Sequence, residues 1–323
     1  MVQAPGVELG YELLAGVPWA ADAHRRGELR ATASVDDSAP FYAPFSPLHC
    51  ERAGVGRRYL PVAAAFPGSS WPVEAGAHRL ITAAVRASSF EGPGAMPGWR
   101  MPPFFGYYCG WGLLPTGGTR YILIFNKRNL AEWGGPPVNS LPPPTLVALF
   151  LSLAPRHTII YMRATPGLHA SEPSGFAQDE GDCEALRAAA VAAYGQHAVT
   201  DGHPEQRLLL LPWTLRALQM EAADEAEAYG RRRPTSPAPH PISFNTILLS
   251  ALADADGLIA VQGGPAYLSL LWGPGKHIIL FQLKGAEVDT EAVRWFHLLS
   301  GADSVRSTNS TSELLLLARD RWG

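Results

Sequence analysis

The second half of the chain alternates short apolar runs with longer segments of helical periodicity. Strand-type runs occur in RYILIFNK from Arg120, HTIIYMRA from His157 and RLLLLPW from Arg207. Between them, LPPPTLVALFLSLA carries prolines near its first turn, and DCEALRAAAVAAYGQ is an alanine-rich segment with Asp182 in the position of an N-cap. A strand, a helix and a second strand at this spacing predict a βαβ unit.

The same alternation continues toward the C-terminus. TLRALQMEAADEAEAYG predicts an amphipathic helix that ends at Gly230, and SFNTILLSALADA predicts a helix capped by Ser243. GLIAVQ and HIILFQ are apolar at successive positions and predict two more strands. Strands that are apolar on both faces are typical of a parallel sheet covered by helices on both sides, so the pattern predicts an α/β fold. TSELLLLARD predicts a last helix, which we expect to cross back toward the N-terminal part of the chain.

The N-terminal third has a weaker pattern. Apolar residues over Leu9–Leu29 repeat at helical spacing around Pro18, which predicts a kinked helix. Residues 36–58 hold turn formers and aromatics and predict a loop. RYLPVAAAF predicts a strand and AHRLITAAVRASSF a helix, whereas residues 91–118, dense in glycine, proline and aromatics, predict an ordered loop or a crossing between domains.

Composition narrows the class of protein. With 323 residues and 47% apolar content, the chain is long enough for two domains, which we place at 1–117 and 118–323. A net charge of −3 gives no general attraction to nucleic acid, so we expect no nucleic-acid partner. The longest apolar run, Thr145 to Ala154, is too short to span a bilayer, and the N-terminus has no basic segment ahead of an apolar one. We therefore expect a cytoplasmic protein with no membrane span.

The three cysteines, Cys50, Cys109 and Cys183, are odd in number, widely spaced and without a Cys-x-x-Cys pair. This arrangement favours neither a disulfide framework nor a zinc site. It is typical of a protein in a reducing compartment.

The segment LIAVQGGPAYLSLLW suggests a first ligand site. Gln262, Gly263, Gly264 and Pro265 stand between a predicted strand and a predicted helix, at the carboxyl end of that strand. Glycines allow close approach to the backbone, and unpaired amides at a helix start attract anions such as phosphate. A tight turn that binds nothing explains the same residues, because the segment matches neither a Walker motif nor Gly-x-Gly-x-x-Gly.

Polar residues also follow two neighbouring predicted strands. FNKRNLAEWGGPPVNSL brings Asn126, Lys127 and Asn139 to the end of one strand, and Arg163 ends the next. Lys127 and Arg163 together are suited to neutralise a diphosphate. Solvated strand-end cations are the alternative interpretation.

These residues resemble a known family. ILIFNKRNLAEWGGPPVNSL, TIIYMRA and SALADADGLIAVQGGPAYLSLLWGPGKHIILFQLKGAE are similar to the donor-binding half of GT-B-type glycosyltransferases, in particular the family 61-like enzymes and the sugar transferases of algae and large DNA viruses. The resemblance covers roughly residues 118–290. It implies two Rossmann-like domains facing a cleft, with a nucleotide sugar held mainly by domain 118–323 and the acceptor by domain 1–117. It further implies that no metal is required, that the Gly-Gly-Pro turn faces the diphosphate or the sugar, and that Glu287 reaches a donor hydroxyl.

Inverting sugar transfer needs a general base for the acceptor hydroxyl, and GT-B architecture places that base on the N-terminal domain. The carboxylates and histidines considered for this role are Glu8, Glu12, His24, Asp36, His49 and Glu51. We favour Glu12, near the start of a helix, and His49, in a rigid loop. A retaining mechanism needs no such base, so the stereochemical outcome stays open.

Two other patterns carry less weight. Asp254 and Asp256 in ADADG match the Asp-x-Asp pair with which GT-A transferases bind a metal, but they precede a strand instead of following one, which indicates a solvated helix end. The aromatics of PPFFGYYCGWG suit either an acceptor platform or packing at an interface. The sequence thus predicts a metal-independent glycosyltransferase; a non-catalytic glycan- or nucleotide-binding protein and a nucleotide-sugar epimerase are the alternatives.

Overall fold

A computed structural model describes eleven stretches of the chain, and these contain two parallel β-sheets with helices packed around them. The described residues are 2–3, 12–35, 37–52, 104–114, 116, 120–126, 140–163, 173–211, 244–261, 276–281 and 304–323. Of the predicted elements, RYLPVAAAF, AHRLITAAVRASSF and TLRALQMEAADEAEAYG lie outside them, as does Ser243. No helix in these stretches is both long and apolar enough to cross a membrane.

The smaller sheet is built from the N-terminal part of the chain. Its strands are β1 (Val2–Gln3), β2 (Thr32–Val35) and β3 (His49–Arg52), in that order and all parallel. A π-helical segment, Glu12–Gly16, leads into α1 (Val17–Arg25), and the short helix α2 (Ala39–Tyr42) connects β2 to β3. Pro18 lies in the first turn of α1, at the change from π- to α-helix, which confirms the irregular helix predicted around it.

The larger sheet has six parallel strands. They are β4 (Tyr121–Asn126), β5 (Thr158–Arg163), β6 (Leu208–Leu210), β7 (Gly257–Val261), β8 (His277–Phe281) and β9 (Ser304–Thr308). Their order across the sheet is β6-β5-β4-β7-β8-β9. The chain winds outward from β4 to β6 and then returns to the other side of β4, as in doubly wound sheets. The structure is therefore α/β, with a six-stranded parallel sheet compatible with a Rossmann-like fold.

Helices cover both faces of this sheet. The described ones are α3 (Phe104–Tyr108), α4 (Pro143–Leu153), α5 (Pro173–Tyr194), α6 (Phe244–Asp254) and α7 (Thr311–Trp322), together with a 3-10 turn, Gln196–Val199. Side chains alternate along β4: Tyr121, Leu123 and Phe125 pack with α3 and α6, whereas Ile122 and Ile124 pack with α4, α5 and α7.

The first of these two cores extends without a break to the N-terminal helical segments beside the smaller sheet. Leu13, Val17 and Phe41, from the N-terminal helical segments, belong to the same buried cluster as Leu123 and Ile247. All five side chains are almost fully buried. The N-terminal helical segments thus share an apolar core with the larger sheet.

Several predicted elements are confirmed and others need correction. The βαβ unit β4-α4-β5 is present as predicted, and so is the last helix, which Ser310 caps by accepting from the Glu313 amide. That helix packs on the larger sheet beside α4. The prediction of a loop over residues 36–58 is wrong for α2 and β3, and that of a loop over residues 91–118 is wrong for α3. Strand β9 was not predicted. Asp182 is not an N-cap, because α5 begins nine residues earlier, at Pro173.

Candidate functional site

Three strand ends line up at the carboxyl edge of the larger sheet. Asn126, the last residue of β4, pairs in register with Arg163 at the end of β5. On its other side β4 pairs with β7, with Phe125 opposite Ala260. The chain changes its direction of winding between β4 and β7, and crevices at such points are where open α/β sheets bind ligands. The sequence therefore correctly placed Asn126 and Arg163 at one edge.

In the sequence, most of the predicted donor-binding residues stand at these strand ends or directly after them. Lys127 comes after Asn126, and Gln262 comes after Val261 at the end of β7. The predicted ligand contacts that lie outside the described residues are Lys127, Asn139, Gln262, Gly263, Gly264, Pro265 and Glu287. Their roles stay predictions, since the structure fixes only the strand ends that precede them.

The side chain of Asn126 is bound within the protein. Its Oδ1 accepts from the Leu141 amide at 2.9 Å, and its Nδ2 donates to the Leu141 carbonyl at 3.1 Å. Nδ2 also lies 3.2 Å from Oδ2 of Asp182. Only 1% of Asn126 is exposed. The amide thus holds the start of α4 against the end of β4, a role that differs from the predicted contact with the donor.

Two residues that the sequence did not single out as site residues complete this network. The hydroxyl of Tyr161 on β5 donates to Oδ2 of Asp182 at 2.7 Å, and all three polar side chains are buried. The available signals were an aspartate inside an alanine-rich helix and a tyrosine in an otherwise apolar strand. We refer to Asn126, Tyr161 and Asp182 as the edge network.

Glu12 and His49, the two predicted catalytic residues, lie in the smaller sheet region. Glu12 is fully buried, and its Oε1 accepts from Ser34 Oγ at 2.6 Å and from the Tyr42 hydroxyl at 2.8 Å. His49 stacks on the ring of Tyr42 with 4.7 Å between centroids. The structure therefore joins the two predicted residues through Tyr42, a link that the sequence did not reveal.

Both ring nitrogens of His49 are hydrogen-bonded. Ser38 Oγ donates to the Val35 carbonyl at 2.5 Å, so it accepts from Nε2 of His49, 2.9 Å away. Nδ1 lies 2.7 Å from Thr32 Oγ1, which is also 2.8 Å from Ser46 Oγ. Burial lowers the pKa of His49 below its usual 6.5, against the opposing effect of the Glu51 and Glu12 carboxylates. The ring is therefore neutral at pH 7.

Asp37 connects the smaller sheet to helix α6. It has a φ of +59°, and among the described residues other than glycine only Asp37 has a positive φ. Its Oδ2 accepts from the Asn245 amide at 3.0 Å, and its carbonyl accepts from the Asn245 side chain. Asp37 thus caps the first turn of α6 from another part of the chain.

The direction of α6 shows where this contact lies. Just after α6, the Asp256 amide donates to the Tyr121 carbonyl at the start of β4, so the helix ends at the amino edge of the larger sheet. Eleven helical residues span about 16 Å, which is about the length of β7. Asn245 therefore lies toward the carboxyl edge of the larger sheet, and Asp37, which bonds to it, lies there as well.

The aspartates of ADADG lie at the opposite edge. Asp254 accepts from the Gly110 amide at 2.7 Å, and Asp256 pairs with the exposed Arg120, with Nε to Oδ2 at 2.8 Å. This confirms their predicted place at a helix end, before a strand. Within the described stretches, no group of three or more His, Cys, Asp or Glu side chains is arranged to hold a metal ion. In the PPFFGYYCGWG segment, Tyr108 is buried whereas Tyr107 and Trp111 are partly exposed.

The remaining base candidates are less well placed. Glu51 is exposed and accepts from the Ala39 amide at 2.7 Å, and His24 is exposed on α1. Glu8 and Asp36 lie outside the described residues.

The lowered pKa of His49 predicts a pH dependence of stability. Because the unfolded chain binds the proton more readily, the contribution of His49 is fully present above about pH 6.5 and is lost as the pH falls through its folded-state pKa. Burial lowers the pKa of His157 as well, with the same sign. We expect the melting temperature to fall between pH 7.5 and 5.5, less steeply in His49→Gln and least in the double variant with His157→Gln. If the melting temperature falls equally with pH in the wild type, His49→Gln and His157→Gln, the two pKa shifts are contradicted.

Comparison with protein-family models, curated proteins and solved structures finds no match for this chain. The functional interpretation therefore depends on the sheet topology, the side-chain contacts described above and the residue patterns at the strand ends.

Proposed function

We propose that the chain is a metal-independent glycosyltransferase. It binds a nucleoside diphosphate sugar at the carboxyl edge of the larger sheet and transfers the sugar to a hydroxyl of a glycan or a small acceptor. The observation that carries the proposal is the change of winding between β4 and β7. Sheets of this topology bind nucleotides at that point.

The residues proposed for donor binding follow from that position. Lys127 comes directly after β4, Arg163 ends β5 in register with Asn126, and Gln262, Gly263 and Gly264 come directly after β7. Two cations and a glycine pair after a strand suit a diphosphate, which carries negative charge on both phosphates. Pro265, Asn139 and Glu287 complete the proposed set.

The smaller sheet supplies the proposed catalytic residues. His49 is the base: its half-buried ring is neutral at pH 7, and it takes the proton of the acceptor hydroxyl. Glu12 is fully buried, so in this proposal it holds Tyr42, on which His49 stacks. The contact of Asp37 with Asn245 supports the proposal, because it joins this region to the carboxyl edge of the larger sheet.

The proposal is tested by nucleotide binding. We expect one family of nucleoside diphosphates or nucleotide sugars to raise the melting temperature by several degrees, since ligand at about 100 times Kd stabilises the folded state by about 2.7 kcal/mol. The shift should be unchanged by EDTA. Lys127→Ala should weaken binding about tenfold or more, because it removes a charged partner of the diphosphate. Calorimetric titration gives the Kd of each variant.

Lys276→Ala is the matched control. It removes the same charge at the start of β8, where the ammonium of Lys276 donates to the Ala255 carbonyl at the amino edge. Equal loss of affinity in both lysine variants, or no nucleotide binding by the wild type, would contradict the proposed donor site. On the nucleotide that binds, His49→Gln should keep the affinity and lose sugar transfer; a fully active variant would exclude His49 as the base.

A further inference from the structure

The edge network lies at the carboxyl ends of β4 and β5, the edge at which the donor site is proposed. Asn126 ends β4, Tyr161 stands two residues before the end of β5, and Asp182 projects from α5. The three side chains come from three separate elements and are 0–1% exposed. Polar groups at such depth cost folding free energy unless they are hydrogen-bonded, and apolar side chains of similar size would fill the same space at less cost.

The network ends on the backbone of one residue. Leu141 is fully buried, and both its amide and its carbonyl bond to the side chain of Asn126. Leu141 stands two residues before α4, which begins at Pro143. The side chain of Asn126 therefore fixes Leu141, just before α4, against the end of β4.

The side chain of Asn126 is itself oriented by two buried side chains. Asp182 accepts from Nδ2 of Asn126 at 3.2 Å and from the Tyr161 hydroxyl at 2.7 Å through the same oxygen, Oδ2. Tyr161 also lies 3.5 Å from Nδ2 of Asn126. A carboxyl oxygen that accepts from both neighbours fixes the orientation of the Asn126 amide, with its oxygen toward the Leu141 amide.

We propose that Asp182 and Tyr161 are positioning residues for the nucleotide site: they orient Asn126, which fixes the start of α4 relative to the end of β4. This inference rests on the proposed function for its ligand, because Lys127 and Asn139 lie in the sequence between Asn126 and Leu141. These two residues are the fixed points that the edge network holds together. Asp182 and Tyr161 act on the ligand through Asn126 and Leu141. The geometry of the two fixed points does not depend on which ligand binds.

Tyr161→Phe tests the inference with the smallest change, since it removes one hydroxyl. Thr158→Val is the matched control, because Thr158 is equally buried on the same strand and donates to the Gln206 carbonyl at 3.0 Å. It lies at the opposite end of β5, about 10 Å along the strand from Tyr161. Each variant removes one buried hydroxyl donor, so a merely structural role predicts similar effects on Leu141 and on nucleotide affinity.

Hydrogen exchange at the Leu141 amide provides the first readout, and it requires no ligand. We expect this amide to exchange at least about tenfold faster in Tyr161→Phe than in Thr158→Val, compared at equal global stability. Asp182→Asn, which replaces the shared acceptor by an amide, should behave like Tyr161→Phe. Equal exchange in the Tyr161 and Thr158 variants would overturn the inference.

Nucleotide affinity provides the second readout, with the nucleoside diphosphate that shifts the wild type most. We expect Tyr161→Phe to raise the Kd about tenfold while Thr158→Val leaves it unchanged. If the wild type binds and both variants bind equally well, the inference fails and the proposed function stands. If the wild type binds no nucleotide, the proposed function fails, and so does the assignment of Asp182 and Tyr161 to a nucleotide site. Hydrogen exchange then still measures whether they fix Leu141.

Discussion

Replacing Gly257 by alanine is expected to destabilise the protein by about 3 kcal/mol, because there is no space for the added methyl group. A Cβ at Gly257 would stand 2.2 Å from Cζ2 and 2.5 Å from Cε2 of Trp322. Trp322 is a buried indole at the end of α7, packed over the start of β7. The buried indole ring of Trp322 cannot move aside as the end of a flexible side chain would. Urea unfolding of both proteins measures the difference.

Two further substitutions separate this clash from other effects of alanine. Gly181→Ala in α5 adds the same methyl where no atom lies within 4 Å, so it should stabilise by up to about 1 kcal/mol through helix propensity. Trp322→Leu should cost free energy alone but reduce the penalty of Gly257→Ala in the double variant. A change below about 0.5 kcal/mol for Gly257→Ala would contradict the packing of α7 on β7.

The strands of the larger sheet were largely predictable because burial on both faces leaves a strong signal in the sequence. β4, β5, β7 and β8 are continuous apolar runs, and each occurs where its run predicts it. β3, with the sequence HCER, has no apolar pattern at all. It forms because it pairs with β2, and because its half-buried side chain, His49, is hydrogen-bonded to Thr32 and Ser38.

The site residues were predictable in position but not in function. A strand followed by polar residues places Asn126 at the carboxyl edge, yet the same local pattern fits a ligand contact and an internal hydrogen bond. Asp182 has the local sequence of an N-cap, but it is an internal acceptor because Tyr161 comes within 2.7 Å of it from 21 residues earlier in the chain. Such pairings depend on tertiary distance, on which local residue patterns carry no information.

Glu12→Ala is expected to lower the free energy of unfolding by about 3 kcal/mol, an effect as large as that of Gly257→Ala. The substitution removes the acceptor of two buried hydroxyls, those of Ser34 and Tyr42, and each buried donor left without an acceptor costs about 1–3 kcal/mol. Relief from burying the carboxyl group offsets part of this loss. Chemical unfolding with the wild type as reference measures the change. A loss below about 1 kcal/mol would mean that Glu12 does not hold these hydroxyls in solution.

A double-mutant cycle with Tyr42→Phe distinguishes the hydrogen bond from the loss of packing. Tyr42→Phe keeps the ring that stacks on His49 and removes only the donor to Glu12. In the Tyr42→Phe background, Glu12→Ala should cost at least about 1 kcal/mol less than in the wild type. The double variant should therefore lose less stability than the sum of the two single losses. Glu12→Gln keeps an oxygen acceptor for both hydroxyls and should retain most of the stability. If Glu12 only holds Tyr42, Glu12→Gln also retains activity, whereas a stable but inactive Glu12→Gln variant would identify Glu12 itself as the base.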